Sequence, residues 1–236
     1  MRSAFHEQLD LISDQLVELS QLSAQALNRA TNAMMTADLT LAEQVISEDD
    51  AIDALRYELD DRAIDALARQ QPVATDLRQL VTTLRMSSDL ERCGDLARHV
   101  AKLARLRYPD PVLPEDLQSI FGEMAEVAES MVVRAGEIVA TSDATGAAEL
   151  QTRDDHMDRL HREVFRLLLD PQFSRDPQLV IDATLLSRYY ERFADHAVSV
   201  AIRVVYLVTG NWHDEQDPST WYDSRSNDGQ VPRAEA

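Results

Sequence analysis

A helical heptad pattern occurs twice in this chain, and each copy carries Glu-Arg-x-x-Asp. The copies are DLERCGD at 89–95 and YYERFAD at 189–195, 100 positions apart. The register persists on either side: Met86, Leu90, Cys93, Ala97, Val100 and Ala104 match Leu186, Tyr190, Phe193, Ala197, Val200 and Val204. Upstream the offset becomes 105, where Asp49 and Asp53 in SEDDAIDAL match Asp154 and Asp158 in TRDDHMDRL. Leu55 and Leu59 likewise fall against Leu160 and Val164. The five-residue difference is absorbed between 65–76 and 170–176. A duplicated three-helix unit is the frame this pattern imposes. Core packing alone does not require acids at matching positions in both halves, so the acids point to function.

The rest of the chain is consistent with that frame. Leu9, Ile12, Leu16, Leu19, Ser23, Ala26, Ala30 and Ala33 alternate spacings of three and four, predicting a helix over 3–36. A second helix is predicted over 39–70 and ends at Pro72; a third covers 75–107. Pro109, Pro111 and Pro114 break the chain, and the unit starts again with helices over 114–141, 144–170 and 176–209. Gly210 stands where a C-terminal cap belongs. The expected fold is all-α: two tandem three-helix bundles, 1–108 and 109–210, with short links that favour antiparallel neighbours. From 211 to 236 periodicity is lost, which predicts a disordered acidic tail that Trp212 and Trp221 tack in part onto the body.

Composition narrows function. Scarce glycine (6 residues) favours helix over sheet, and a net charge of −19 repels nucleic acid and anionic membrane. The same charge suits divalent or trivalent cations, or a basic partner surface. Cys93 is the only cysteine, so no intrachain disulfide forms, and its place on the apolar stripe predicts a small core filler. MRSAFHEQLDL has no apolar signal-peptide region. The most apolar run, 197–208, contains Arg203 and is too short to cross a bilayer. The expected location is the cytoplasm.

Residues four apart on a helix share a face, so Asp49/Asp53, Glu91/Asp95, Asp154/Asp158 and Glu191/Asp195 are four carboxylate pairs. With Leu90, Ala97 and Ala104 at a positions, Glu91 falls at b and Asp95 at f. Glu191 and Asp195 repeat those positions, so all four are expected to face solvent or the outer side of another helix. Like charges at this spacing repel, and either of two arrangements offsets the cost. One is salt bridging, since Asp95 reaches Arg98 while Arg92 and Arg192 stand beside the acids. The other is a hard cation held by carboxylates from two adjacent helices, for which Mg, Mn, Ca or ferric iron suit better than Zn or Cu. No Glu-x-x-His, P-loop, dinucleotide turn or nucleophile elbow occurs. His99, His156 and His161 are expected as helix-surface residues, and His196, next to Asp195, in a surface or helix-packing role with membership of a metal site as the alternative. Arg78, Arg85 and Arg92, seven apart, are expected as a salt-bridged flank.

QPVATDLR at 71–78 and DLERCGDLA at 89–97 resemble the PhoU family, phosphate-signalling accessory proteins of bacteria. The resemblance rests on Gln71, Pro72, Asp76, Leu77 and Arg78, then Glu91, Arg92, Gly94 and Asp95, with Glu191, Arg192 and Asp195 in the second half. VYLVTGNW at 205–212 is similar to the run that closes the family's last helix. The resemblance implies two three-helix bundles with metal, often multinuclear iron, at Asp49, Asp53, Glu91, Asp95, Asp154, Asp158, Glu191 and Asp195. It also implies a negative regulator that couples the phosphate ABC transporter, through its ATPase subunit, to a sensor histidine kinase. A homodimer is expected. Phe193-Ala194 departs from the family's aliphatic-glycine pair and is expected to crowd the second site, leaving the first as the better one. The alternative from another class is a carboxylate-bridged metalloenzyme, redox or hydrolytic, which needs a buried site where the heptad places these acids outward.

Overall fold

The computed structural model describes residues 2–211, with side chains from Phe5 onward. The tail over 212–236, Trp212 and Trp221 included, lies outside the described residues. Six helices form: α1 (Arg2–Thr36), α2 (Leu39–Gln70), α3 (Ala74–Arg107), α4 (Glu115–Thr141), α5 (Gly146–Leu168) and α6 (Pro177–Thr209). The described residues contain no strand.

Local chemistry sets the helix ends. Asp38 accepts a hydrogen bond from the Leu41 amide at 3.0 Å and starts α2. Asp176 does the same for Gln178 and Leu179, with Pro177 preset for the first turn of α6. Gly210, at φ 76, closes α6 in the left-handed conformation that suits glycine. Helix α5 is shorter at both ends than the expected 144–170. At its start Asp143 Oδ1 accepts from the amides of Thr145 and Gly146, which holds a turn and delays the helix. At its end Asp170 Oδ1 accepts from the Gln172 amide and ends it early.

Helices α1, α3, α4 and α6 form the centre of the molecule, while α2 lies against α1 and α3, and α5 against α4 and α6. The two helix triplets share one apolar core. It runs from Leu16, Leu27 and Met86 through Cys93 to Phe121, Met131, Tyr190 and Phe193, all buried. A small separate cluster of Phe5, Leu9, Ile12, Ala63, Ala66 and Leu80 closes the α1–α2–α3 end.

The seam between halves shows the duplication directly. Cys93 Sγ lies 3.7 Å from the Phe193 carbonyl oxygen, so residues at the same repeat position meet where α3 crosses α6. That is the arrangement of a pseudo-twofold axis. Where α1 passes α4, a Cβ on Gly136 would lie 2.2 Å from Ser20 Oγ, so a side chain there would force the Ser20 hydroxyl to move. Polar bonds then fix the register of the seam. Thr31 and Tyr190 hydroxyls pair at 2.8 Å in the core, Arg107 grips Asp182 through two bonds of 2.5 and 3.0 Å, and Asp89 takes Arg203 at 2.7 Å.

Candidate functional site

Each peripheral helix and its motif helix form a groove, and the eight candidate acids line the two grooves. Asp49 and Asp53 come from α2 and meet Glu91 and Asp95 of α3; their charges act on one another. Asp154 and Asp158 come from α5 and meet Glu191 and Asp195 of α6. Duplication has therefore brought the predicted residues together four by four. In the side-chain positions of this structure, no three His, Cys, Asp or Glu side chains among the described residues are disposed to hold one metal ion.

Of the four acids expected to face solvent or the outer side of another helix, Asp195 is exposed and Glu91, Asp95 and Glu191 are partly covered, while Asp49 on the peripheral helix is buried. Asp49 is 4% exposed, and the Asp95 and Glu191 side chains retain only 16% and 12% exposure. The heptad of α3 taken alone ignores the helix that lies across it. The stripe of α2 reads Ala42, Val45, Asp49, Ile52, all buried, so Asp49 occupies an apolar-stripe position. On α5 the same stripe reads Ala147, Leu150, Asp154, Met157. Spacing on the peripheral helices was the signal that would have placed these acids in the grooves.

The two grooves differ in how their charge is compensated. In the first, the Arg98 guanidinium bridges both helices: Nη1 lies 2.5 Å from Asp49 Oδ2, and Nη2 pairs with Asp95. Arg92 adds a contact to Asp95 at 2.9 Å. Burial pushes the Asp49 carboxyl up to about 6, against the pull of Arg98 and Lys102. Glu91 is also raised, by burial first and by Asp95 next, with Arg92 and Arg56 opposing.

The second groove has no bridging cation. The positions that match Arg98 and Lys102 are Val198 and Ile202, and both line an open cavity of about 390 Å³ together with Gln151, Asp154, Asp195 and Ser199. Asp154 is driven up to about 7, by burial first and then by Asp195, Asp158, Asp155 and Glu191, all carboxylates. Glu191 is raised by burial and by Asp195; Arg188 pairs with its Oε1, while Oε2 is buried with no hydrogen-bond partner. Asp195 is solvent-exposed, yet the protein packed around its carboxyl displaces enough water to raise it as well. Asp49 Oδ2 in the first groove is likewise buried without a hydrogen-bond partner, so each groove holds one carboxylate oxygen whose burial is uncompensated by a hydrogen bond.

The expectation that Phe193-Ala194 crowds the second site meets a different local packing. A Cβ on Gly94 would lie 3.0 Å from two Ile52 carbons and 3.4 Å from Asp49 Oδ1. In the second half the residue matching Ile52 is Met157, unbranched at Cβ, and both it and Ala194 are fully buried.

The remaining residues singled out fall into packing roles. Burial pushes the Cys93 thiol well above its ordinary value, as a core filler requires. His196 Nδ1 faces Asp89 at 3.2 Å, His99 stacks on Tyr189 at 5.2 Å between ring centres, and His156 meets Glu123 at 2.9 Å. His161 is less superficial than expected: Nδ1 lies 2.6 Å from Ser187 Oγ, and burial lowers its pKa. No helix among the described residues is long and apolar enough to cross a membrane.

The family model described as "PhoU domain" matches the chain twice, over residues 16–104 and 121–204. The chain is 47% identical over 210 residues to the phosphate-specific transport system accessory protein PhoU homolog 2 of Mycobacterium tuberculosis, covering 89% of this chain and 99% of that protein. It is 30% identical over 211 residues to the PhoU homolog of Rhizobium meliloti, covering 88% of each. Among solved structures it is similar to PhoU from Pseudomonas aeruginosa, with a TM-score of 0.76, 30% identity, and coverage of 88% of this chain and 100% of that one. It is also similar to the phosphate transport system regulatory protein PhoU from Streptococcus pneumoniae, with a TM-score of 0.79, 25% identity, and coverage of 89% and 99%.

Proposed function

Because the chain belongs to the PhoU family, we propose that it is a negative regulator of phosphate uptake and of phosphate-starvation signalling. It acts by binding, in the cytoplasm and without turnover: one partner is the ATPase subunit of the phosphate ABC transporter, the other the sensor histidine kinase. Relatives named as accessory proteins of phosphate-specific transport support the transporter as the setting. In this reading the paired acids of the peripheral and motif helices would take a hard cation, Mg, Mn or iron, which would stiffen the face that docks. Asp154, Asp158, Glu191 and Asp195 are the residues that would hold it, and the cation would supply positive charge between carboxylates that otherwise repel. A homodimer is the proposed assembly.

The observation that carries the cation part is the half-buried Glu191 carboxylate, one oxygen unpartnered, among three further acids. The test pairs a genetic readout with a binding one. In the cell of origin, deletion of the chain is expected to raise phosphate-responsive gene expression while phosphate is plentiful. Restoring the chain with both Asp154→Asn and Glu191→Gln is expected to repress only weakly, and to recover less transporter ATPase in a pull-down. Full repression and full recovery by that variant would remove the cation from the mechanism.

A further inference from the structure

Helices α1, α3, α6 and α4 meet in a ring, with α2 laid against α1 and α3 and α5 against α4 and α6. The side where α3 meets α6 carries no further helix among the described residues. Charge is spread unevenly over the ring. Helices α3 and α6 hold ten Lys and Arg against seven Asp and Glu, whereas α1 and α4 hold three against ten. Arg78, Arg85, Arg92 and His99 recur every seven residues, one line of about 32 Å along α3. Arg85, Arg92 and His99 are exposed, and Leu106, 67% exposed, continues the line. The acids nearest this line are already engaged. Asp89 takes Arg203 at 2.7 Å and faces His196 at 3.2 Å, while Asp95 pairs with Arg92 and Arg98. Tyr189 of α6 stacks on His99 across the seam, giving the basic line an aromatic edge.

We propose that the open α3–α6 side docks an acidic helical segment of a partner protein. The inference rests on the reading that the chain acts by binding, and it adds which side binds and what sign of charge that side takes. The net charge of −19 favours a basic partner for the molecule as a whole, but the local field of this side has the opposite sign. Shape favours a segment over a membrane. The basic line is one helix wide, with Glu91 beside it and α2, which holds nine Asp and Glu, along its flank. A flat anionic surface would have to approach those acids too. A single helix laid along the seam stays clear of them, gives its carboxylates to the arginines and sets apolar residues against Tyr189 and Leu106. Arginine suits this contact because its planar fork meets a carboxylate through two parallel bonds.

The probe is a fluorescein-labelled peptide of about 21 residues, with Glu and Leu at heptad spacing so that it spans about 32 Å as a helix. Fluorescence anisotropy reads its binding to the full-length chain. Arg85→Glu with Arg92→Glu reverses the middle of the line; Arg62→Glu with Arg69→Glu makes the same change of charge on α2. Circular dichroism checks that both variants are folded. The parent is expected to bind the peptide, the α3 variant to bind at least about 10-fold more weakly, and the α2 variant to stay within about twofold of the parent. Raising NaCl from about 0.05 to about 0.5 M is expected to weaken the parent's binding, because salt screens exposed charge; this measurement decides even if the α3 variant does not fold. The proposal is overturned by a parent that does not bind, by binding insensitive to salt, or by equal losses in the two variants. Tighter binding to vesicles of phosphatidylglycerol and phosphatidylcholine than to the peptide overturns it in favour of a membrane. The regulatory reading fails on a different measurement, phosphate-responsive expression after deletion of the chain, so the two failures are distinguishable.

Discussion

Asp154 shows how much one residue's surroundings decide. It lies on the apolar stripe of α5 between Leu150 and Met157, and burial first, then the surrounding carboxylates, push its pKa up to about 7. Asp49, its repeat partner, has Arg98 alongside and rises only to about 6. Because an aspartate ionises near 3.8 in the unfolded chain, folding favours the protonated form of Asp154. The stability this brings is fully present below about pH 4 and is lost as pH rises through about 7. Without metal, Asp154→Asn is therefore expected to be more stable than the parent at pH 8, by about 1–2 kcal/mol once solvent screening is allowed for. The difference is expected to shrink toward zero near pH 4. Urea unfolding in a chelator at both pH values measures it, and equal midpoints at pH 8 would contradict the electrostatic account. Asp154 was readable as a candidate from the duplication alone. Its raised pKa was not, because burial against α6 is its main cause and Asp195 and Glu191 of α6 add to the push of Asp158 and Asp155 on its own helix.

At the scale of elements, helix existence followed from heptad spacing, and ends followed wherever proline or glycine marked them. Helix α5 departed at both ends because Asp143 and Asp170 turned their side chains to nearby amides, a choice the apolar period does not encode. Packing between α2 and α3 depends on Gly94, whose missing Cβ leaves room for branched Ile52; the matching positions on α5 and α6 are the unbranched Met157 and Ala194. Gly94→Ala is expected to cost about 1–3 kcal/mol by overpacking. Adding Ile52→Met, which reproduces the second half's combination, is expected to recover more than half of that loss. A double-mutant cycle in chemical denaturant measures the coupling, and independent, additive effects would show that the two residues do not share the constraint. The heptad frame of α3 put Glu91 and Asp95 outside the seam. Only the crossing of α2 over that face turned an outward position into a groove.

Across the whole molecule, stability depends on the seam between halves as much as on either half. One apolar core passes from α1 and α3 into α4 and α6, and Arg107 reaches across to Asp182, which is 3% exposed. Arg107→Ala is expected to destabilise the protein by about 3–5 kcal/mol, because it leaves a buried carboxylate with only the Gln178 amide donating to it, at 2.9 Å. Arg107→Lys is expected to restore part of the loss, since an ammonium keeps the charge without the two-pronged geometry. Thermal unfolding compares the three, and a change under about 1 kcal/mol would make this pair no more than an exposed one.

The sequence by itself determined the duplication, the six helices and the eight acids, because apolar period and repeat spacing are properties of the chain read along one dimension. Tertiary structure decided which acids are buried, which are neutralised and where the halves touch. Those depend on side chains from helices far apart in sequence, such as Arg107 with Asp182 and Asp89 with Arg203. The Glu-Arg-x-x-Asp copies are alike as sequence and unlike as sites for that reason. A guanidinium three residues after Asp95 reaches back to it and across to Asp49, while Val198, in the matching place, leaves space.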